Sequence, residues 1–184
     1  TTIMAVEYDG GVALAADSRT TSQSFVVNRV ADKLTKVTDK IYCCCSGSVS
    51  QGQQLSQMMS NKFYSLSITM GDSLLVQMAA SAFRQRVYLD RSFNQTSVIV
   101  AGWDKFCGGQ VYVITASGLM VRLRAAASGS GASVIRSYLL AKHRNNIKLN
   151  NAIDLLKNAI EIAISQDPHS GGVVRIGVIN KNGL

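Results

Sequence analysis

The sequence predicts an α+β domain of four layers, αββα, with two β-sheets face to face between two layers of helices. Three observations predict it. Strand-like stretches come as hairpins, helical stretches come in consecutive pairs, and the two alternate as strands, helices, strands, helices, strand. Sheets that are apolar on both faces need cover on both, and paired helices supply it.

The first element is a hairpin, "TTIMAVEYDGGVALAAD", in which Asp9, Gly10 and Gly11 suit the left-handed conformations of a tight turn. "KLTKVTDKIYCCCSG" repeats the design, with Leu34, Val37 and Ile41 as apolar positions around a Thr-Asp-Lys turn. On a strand the consecutive cysteines alternate faces, which puts Cys43 and Cys45 on one side and Cys44 on the other. Two helices follow. Leu55, Met58, Met59 and Leu66 mark one apolar stripe, and Leu74, Leu75, Met78, Ala79, Ala82 and Phe83 a second. "TSVIVAGWD" and "QVYVITASGLMVRLRA" are rich in β-branched residues, with Gly108-Gly109 and Ser117-Gly118 as turns. Val134, Ile135, Tyr138 and Leu139 form a third helical stripe. Ala152, Leu155, Leu156, Ala159, Ile160 and Ala163 form a fourth, stopped by Pro168. "GVVRIGVINKNGL" ends the chain as a strand with a turn at Asn182-Gly183. Composition makes Ser128 to Gly131 and Asp167 to Gly172 loops.

The chain has 184 residues, 47% of them apolar, which suits one globular unit over 1–184. No apolar run reaches the length of a membrane span and no basic-then-apolar leader opens the chain, so a soluble protein is expected. Cys43, Cys44, Cys45 and Cys107 show neither disulfide nor zinc-site spacing, which favours a reducing compartment and no metal. The net charge of +8 favours acidic partners. Its basic residues are scattered from Arg19 to Lys181 without a run of three, so a subunit interface or a solvated surface is expected rather than nucleic acid.

The chain starts at Thr1, without methionine, and a cut that frees a threonine amine would explain it. A free N-terminal threonine joins a hydroxyl nucleophile to an amine with an unperturbed pKa of about 7.7 to 8.0, so nucleophile and base can share one residue. Such a site needs a nearby cation to lower both values and a buried carboxylate to balance it. Asp17, at the end of the second strand, and Lys33, at the start of a later one, are the candidates. Gly47, between a strand and a helix, offers an N–H for an oxyanion, and Ser48 suits a helix cap.

Together, "TTIMAVEYDGG", "ADSRTT", "NRVADKLTKV", "IYCCCSGS", "AGWD", "GGQVY", "GSG" and "SGGVVR" make the whole chain resemble the catalytic beta subunits of the eukaryotic proteasome core particle. It is most similar to the caspase-like beta-1 type. The resemblance implies an αββα fold of the N-terminal nucleophile hydrolase type, a precursor cut to expose Thr1, and threonine endopeptidase activity without a cofactor. It implies alpha and beta partner subunits in stacked heptameric rings, unfolded polypeptide substrates, no nucleic acid or membrane partner, and a cytoplasmic and nuclear location.

Carried over by residue, Thr1 is the nucleophile with its own amine as proton acceptor, aided by Asp17 and Lys33, and Gly47 forms the oxyanion hole. Ser130, Asp167 and Ser170 orient the amine and a water. Thr21 and Gly47 bind the substrate backbone as an added strand, and Thr20, Ala31, Thr35, Cys45, Val49 and Gln53 shape the pocket for the P1 side chain. Cys45 stands where the caspase-like type ordinarily has arginine. A missing charge-assisted hydrogen bond of about 1.5 to 3 kcal/mol implies roughly ten- to a hundredfold weaker cleavage after acidic residues, and a tilt toward small or medium uncharged ones. Pro168 and His169 also depart from the usual loop, and family members usually continue past "NKNGL" into another strand and a tail. Two other readings stay open from the sequence: a silent structural ring subunit, and a stand-alone hydrolase of small amides.

Overall fold

A computed structural model of the chain describes residues 1–22, 25–71 and 74–184. In chain order its elements are β1 (Thr2–Tyr8), β2 (Gly11–Asp17), β3 (Thr20–Ser22), β4 (Phe25–Asn28), β5 (Leu34–Thr38), β6 (Ile41–Gly47), α1 (Val49–Met70) and α2 (Val76–Leu89). Then follow β7 (Thr96–Asp104), β8 (Gly108–Ile114), β9 (Met120–Arg122), β10 (Ala125–Gly129), α3 (Ala132–Lys142), α4 (Leu149–Gln166) and β11 (Val174–Asn180).

Two antiparallel sheets carry the architecture. One has the strand order β10-β1-β2-β11 and the other β5-β6-β7-β8-β9. Period-2 alternation sorts their side chains into three apolar layers. Ile3, Ala5, Val12, Leu14 and Ala16 meet Cys44, Ile99, Ala101 and Val111 between the sheets. The alternate residues of β1 and β2, Met4, Val6, Ala13 and Ala15, face α3 and α4 through Ile135, Leu155, Leu156 and Ile160. On the far side Cys43, Val98, Val100 and Ile114 face α1 and α2 through Leu55, Phe63, Val76 and Phe83. Helices thus cover both outer faces, as the order of elements requires, and Cys43 and Cys44 lie on opposite faces of β6.

Local details differ from the expectations. Ser128 and Gly129 belong to β10, paired with Ile3 and Thr2, because the ladder with β1 outweighs their turn-like composition. Gly108 and Gly109 open β8 instead of forming its turn, and a Cβ at Gly109 would meet the Gly11 carbonyl oxygen at 2.4 Å. The position is glycine where the sheets touch. Leu74 and Leu75 precede α2, whose Val76 N–H donates to the buried Asp104 carboxylate at 3.1 Å. Ser48 is the N-cap of α1, but its hydroxyl bonds Ser50 and no backbone N–H. The β3–β4 hairpin was not expected.

Candidate active site

The first hairpin returns the chain so that Asp17, one residue past the Ile3–Ala16 pair, faces the start of β1. Asp17 is fully buried. A buried carboxylate needs donors on both oxygens, and it has four. Oδ1 accepts from the Thr2 N–H at 2.8 Å and from Lys33 Nζ at 2.6 Å. Oδ2 accepts from the Arg19 N–H at 3.1 Å and the Gly171 N–H at 3.0 Å. One side chain thereby pins β1, the turn after β2, the start of β5 and the loop before β11.

Lys33, immediately before β5, donates its second hydrogen bond to Thr1 Oγ1 at 3.0 Å. Burial pushes the Lys33 ammonium below its ordinary value, although the Asp17 bond pulls the other way. The ion pair keeps the cation in place; desolvation decides the direction of its shift.

The Thr1 amine donates to Ser130 Oγ at 3.0 Å and to the His169 carbonyl oxygen at 2.7 Å. Ser130 in turn donates to Asp167 Oδ2 at 2.6 Å, shorter than its alternative to the Thr1 carbonyl at 3.1 Å. Ser170 donates to the same Asp167 oxygen at 2.6 Å. Each hydroxyl has one hydrogen. With Ser170's committed to the carboxylate, the 2.7 Å contact between Thr2 and Ser170 must be donated by Thr2 Oγ1. The relay runs Thr2 to Ser170 to Asp167, met from the other side by Thr1 and Ser130.

Burial lowers the Thr1 amine's pKa from 8.0; Asp17 and Asp167 oppose this and Lys33 assists it. A neutral amine has two N–H donors and one lone pair. Ser130 and His169 take the two donors, which leaves the lone pair to accept a proton. Burial raises the Asp167 carboxyl, but the bonds from Ser130 and Ser170 outweigh it and hold the carboxyl below its ordinary value. It stays an acceptor.

The structure therefore brings Thr1, Asp17, Lys33, Ser130 and Asp167 together, while Ser170 reaches Thr1 only through Asp167. Gly47 closes β6, and Ser46 Oγ lies 2.9 Å from Ser128 Oγ, so this strand end sits over the β10 residues that pair with the start of β1. Thr20 and Thr21 lie on β3, Thr35 on β5 opposite Cys43, and Val49 and Gln53 on the exposed first turns of α1. The Ala31 N–H donates to the Ser18 carbonyl at 3.0 Å. Cys45 is half-buried, its sulfur 3.3 Å from Ser56 Oγ, and a hydrogen bond from Cys43 lowers its thiol pKa. That bond and burial push Cys43 well up. A cavity of about 810 Å³ lies elsewhere, between the β5–β6 turn, α1 and the β7–β8 turn, and none of these residues lines it.

Sequence reasoning missed Thr2, Arg19 and the His169 carbonyl. Arg19 Nη1 donates to the Pro168 carbonyl at 2.9 Å and braces the loop that holds the amine. Glycines were the available signal. A Cβ on Gly131 would fall 2.0 Å from Thr2 Oγ1, and one on Gly171 would fall 2.3 Å from the Arg19 guanidinium.

The proteasome subunit family model matches residues 1–179. The chain is similar over its full length to proteasome subunit beta type-6 of Dictyostelium discoideum, at 40% identity and covering 86% of that protein. It is 38% identical to beta type-6 of Arabidopsis thaliana, over 79% of it, and 37% identical to beta type-1 of Saccharomyces cerevisiae, over 85% of it. With the whole of its length matched to these relatives, and with its two sheets packed between helix pairs, the chain belongs to the proteasome beta-subunit family and is of the beta-1-like type.

Proposed function

We propose that the chain is a threonine-type endopeptidase subunit of the proteasome core particle, with Thr1 as nucleophile. One observation carries the reading: Thr1 Oγ1 accepts from a lysine that is paired to a buried aspartate, beside an amine of lowered pKa whose two donors are already engaged. The Thr1 hydroxyl proton passes to the amine lone pair while Oγ1 attacks the peptide carbonyl carbon. Lys33 stabilises the developing negative charge on Oγ1, and the Gly47 N–H stabilises the oxyanion. The C–N bond breaks as the amine's proton moves to the leaving nitrogen, giving an ester on Oγ1. Water then gives a proton to the amine and attacks the ester carbon, and the C–O bond breaks as the amine passes that proton to Oγ1, restoring both the Thr1 hydroxyl and the neutral amine.

The family assembles with other proteasome subunits. The reading extends this to stacked heptameric rings in cytoplasm and nucleus, to unfolded polypeptide substrates, and to precursor cleavage before Thr1. Thr20, Ala31, Thr35, Cys45, Val49 and Gln53 form the P1 pocket, and Thr21 binds the substrate backbone. Cys45 supplies no cation there. Acidic P1 residues are therefore disfavoured and small or medium uncharged ones preferred.

The test is a fluorogenic peptide panel with P1 Glu, Asp, Ala, Leu and Arg, run on the particle and on one whose copy of this chain carries Thr1→Ala. Loss of the small, uncharged P1 cleavage supports the reading. An unchanged panel means that the subunit is structural despite its site.

A further inference from the structure

Between Asp104 and Asp154 the chain has no acidic residue and seven basic ones. Five of them, Arg122, Arg124, Lys142, Arg144 and Lys148, are exposed and gather around the end of β1. Contacts to Glu7 and Asp9 hold them there. The Glu7 N–H donates to the Arg124 carbonyl at 2.7 Å, and the Asp9 N–H to that of Ile147 at 2.9 Å. Arg122 Nη2 lies 3.7 Å from Glu7 Oε1, and His143 Nε2 lies 3.2 Å from the Glu7 carbonyl oxygen. Glu7 and Asp9 are the carboxylates among these groups. Burial raises the Glu7 carboxyl, with Arg122 and Arg124 opposing. The arc is basic on balance.

Beside it runs β9, the last strand of its sheet. The Thr115 N–H bonds the Leu119 carbonyl at 2.9 Å and the Leu123 N–H bonds that of Val111 at 3.0 Å. Antiparallel alternation therefore directs the backbone groups of Met120 and Arg122 outward. Leu119, Val121 and Leu123 are 58%, 38% and 42% exposed at every second position, while Arg122 and Arg124 occupy the alternate ones. An unpaired edge of this kind is a template for another chain, and its side chains decide which one.

We propose that the β9 edge and its basic arc dock an extended segment of a neighbouring proteasome subunit in which apolar and acidic side chains alternate. The main chain of that segment pairs with Met120 and Arg122, its apolar side chains cover Leu119, Val121 and Leu123, and its carboxylates meet the arc. Charge complementarity of this type sets register and partner choice. Nucleic acid is the poorer fit, since Leu and Val offer bases no aromatic face on which to stack.

Zero-length carbodiimide coupling in the purified particle tests the proposal, because it joins a lysine only to a carboxylate that touches it. The expected result is a link from Lys142 or Lys148 to an Asp or Glu of another subunit. The Arg122→Glu/Arg124→Glu subunit should enter the particle at least tenfold less than wild type, and Arg122→Lys/Arg124→Lys close to wild type. The inference rests on family membership and not on the catalytic reading, so a Thr1→Ala particle should give the same links. The absence of links to other subunits, normal entry of the Glu variant, or nucleic acid crosslinked at these residues would overturn it.

Discussion

Lys33 links Thr1 Oγ1, the proposed nucleophile, to the buried carboxylate, so its removal has two separable effects. Lys33→Ala leaves Asp17 without its cation, and breaking such a buried pair costs about 3–5 kcal/mol, read as a fall in the subunit's unfolding free energy. Peptide cleavage is expected to fall by roughly two orders of magnitude or more, because the donor on Thr1 Oγ1 is gone. The amine gives a second expectation. Its folded-state pKa lies below 8.0 because burial disfavours the cation, so the proton acceptor is released as pH rises through that lowered value. The acid limb of kcat/KM should have its midpoint below 8.0, and a midpoint at or above 8.0 contradicts the assignment of the amine as base. At the proposed P1 pocket, Cys45→Arg introduces a cation and should raise acidic P1 cleavage by roughly ten- to a hundredfold, from about 1.5–3 kcal/mol of charge-assisted bonding. No gain at P1 Glu would place the P1 pocket elsewhere.

At the scale of elements, the relay joins the start of β1 to the loop that follows α4. Gly131 allows it, since Thr2 Oγ1 occupies the space a Cβ would take. Gly131→Ala is expected to displace Thr2 from Ser170, lowering the cleavage rate and also Tm. Thr2→Val is the gentler probe. It leaves Ser170 without its donor at a cost of about 1–3 kcal/mol, and kcat should fall more than KM changes because substrate is not touched. Much of this framework was legible in the sequence. Alternation along "TIMAVEY" and "GVALAAD" fixed the hairpin that returns Asp17 to Thr1, and helical periodicity found all four helices. The β3–β4 hairpin was not legible, because all four residues of β4 are exposed and give no alternation to read. Ser128 and Gly129 were misread for a different reason. Their strand state comes from pairing with residues more than a hundred positions away, which no local propensity reports. Thr2 and the His169 carbonyl were invisible likewise, since only folding brings β1 against the loop at 167–172.

For the whole molecule, two sheets hold the site at one end of their strands, and the second sheet leaves β9 as an edge beside the basic arc. The proposed chemistry and the proposed docking thus occupy different surfaces, and each can fail without the other. The central claim is that Thr1 forms a covalent ester with the substrate's acyl group, and trapping that ester tests it most directly. The particle would be quenched in acid during turnover of an activated peptide ester with an alanine acyl residue, and the N-terminal peptide of this chain weighed after digestion. The account expects the acyl mass on Thr1 Oγ1, with no adduct when Lys33→Ala or Thr1→Ala is incorporated. A wild-type chain with no adduct, in a particle that turns over the ester at a rate unchanged by Thr1→Ala, would contradict it.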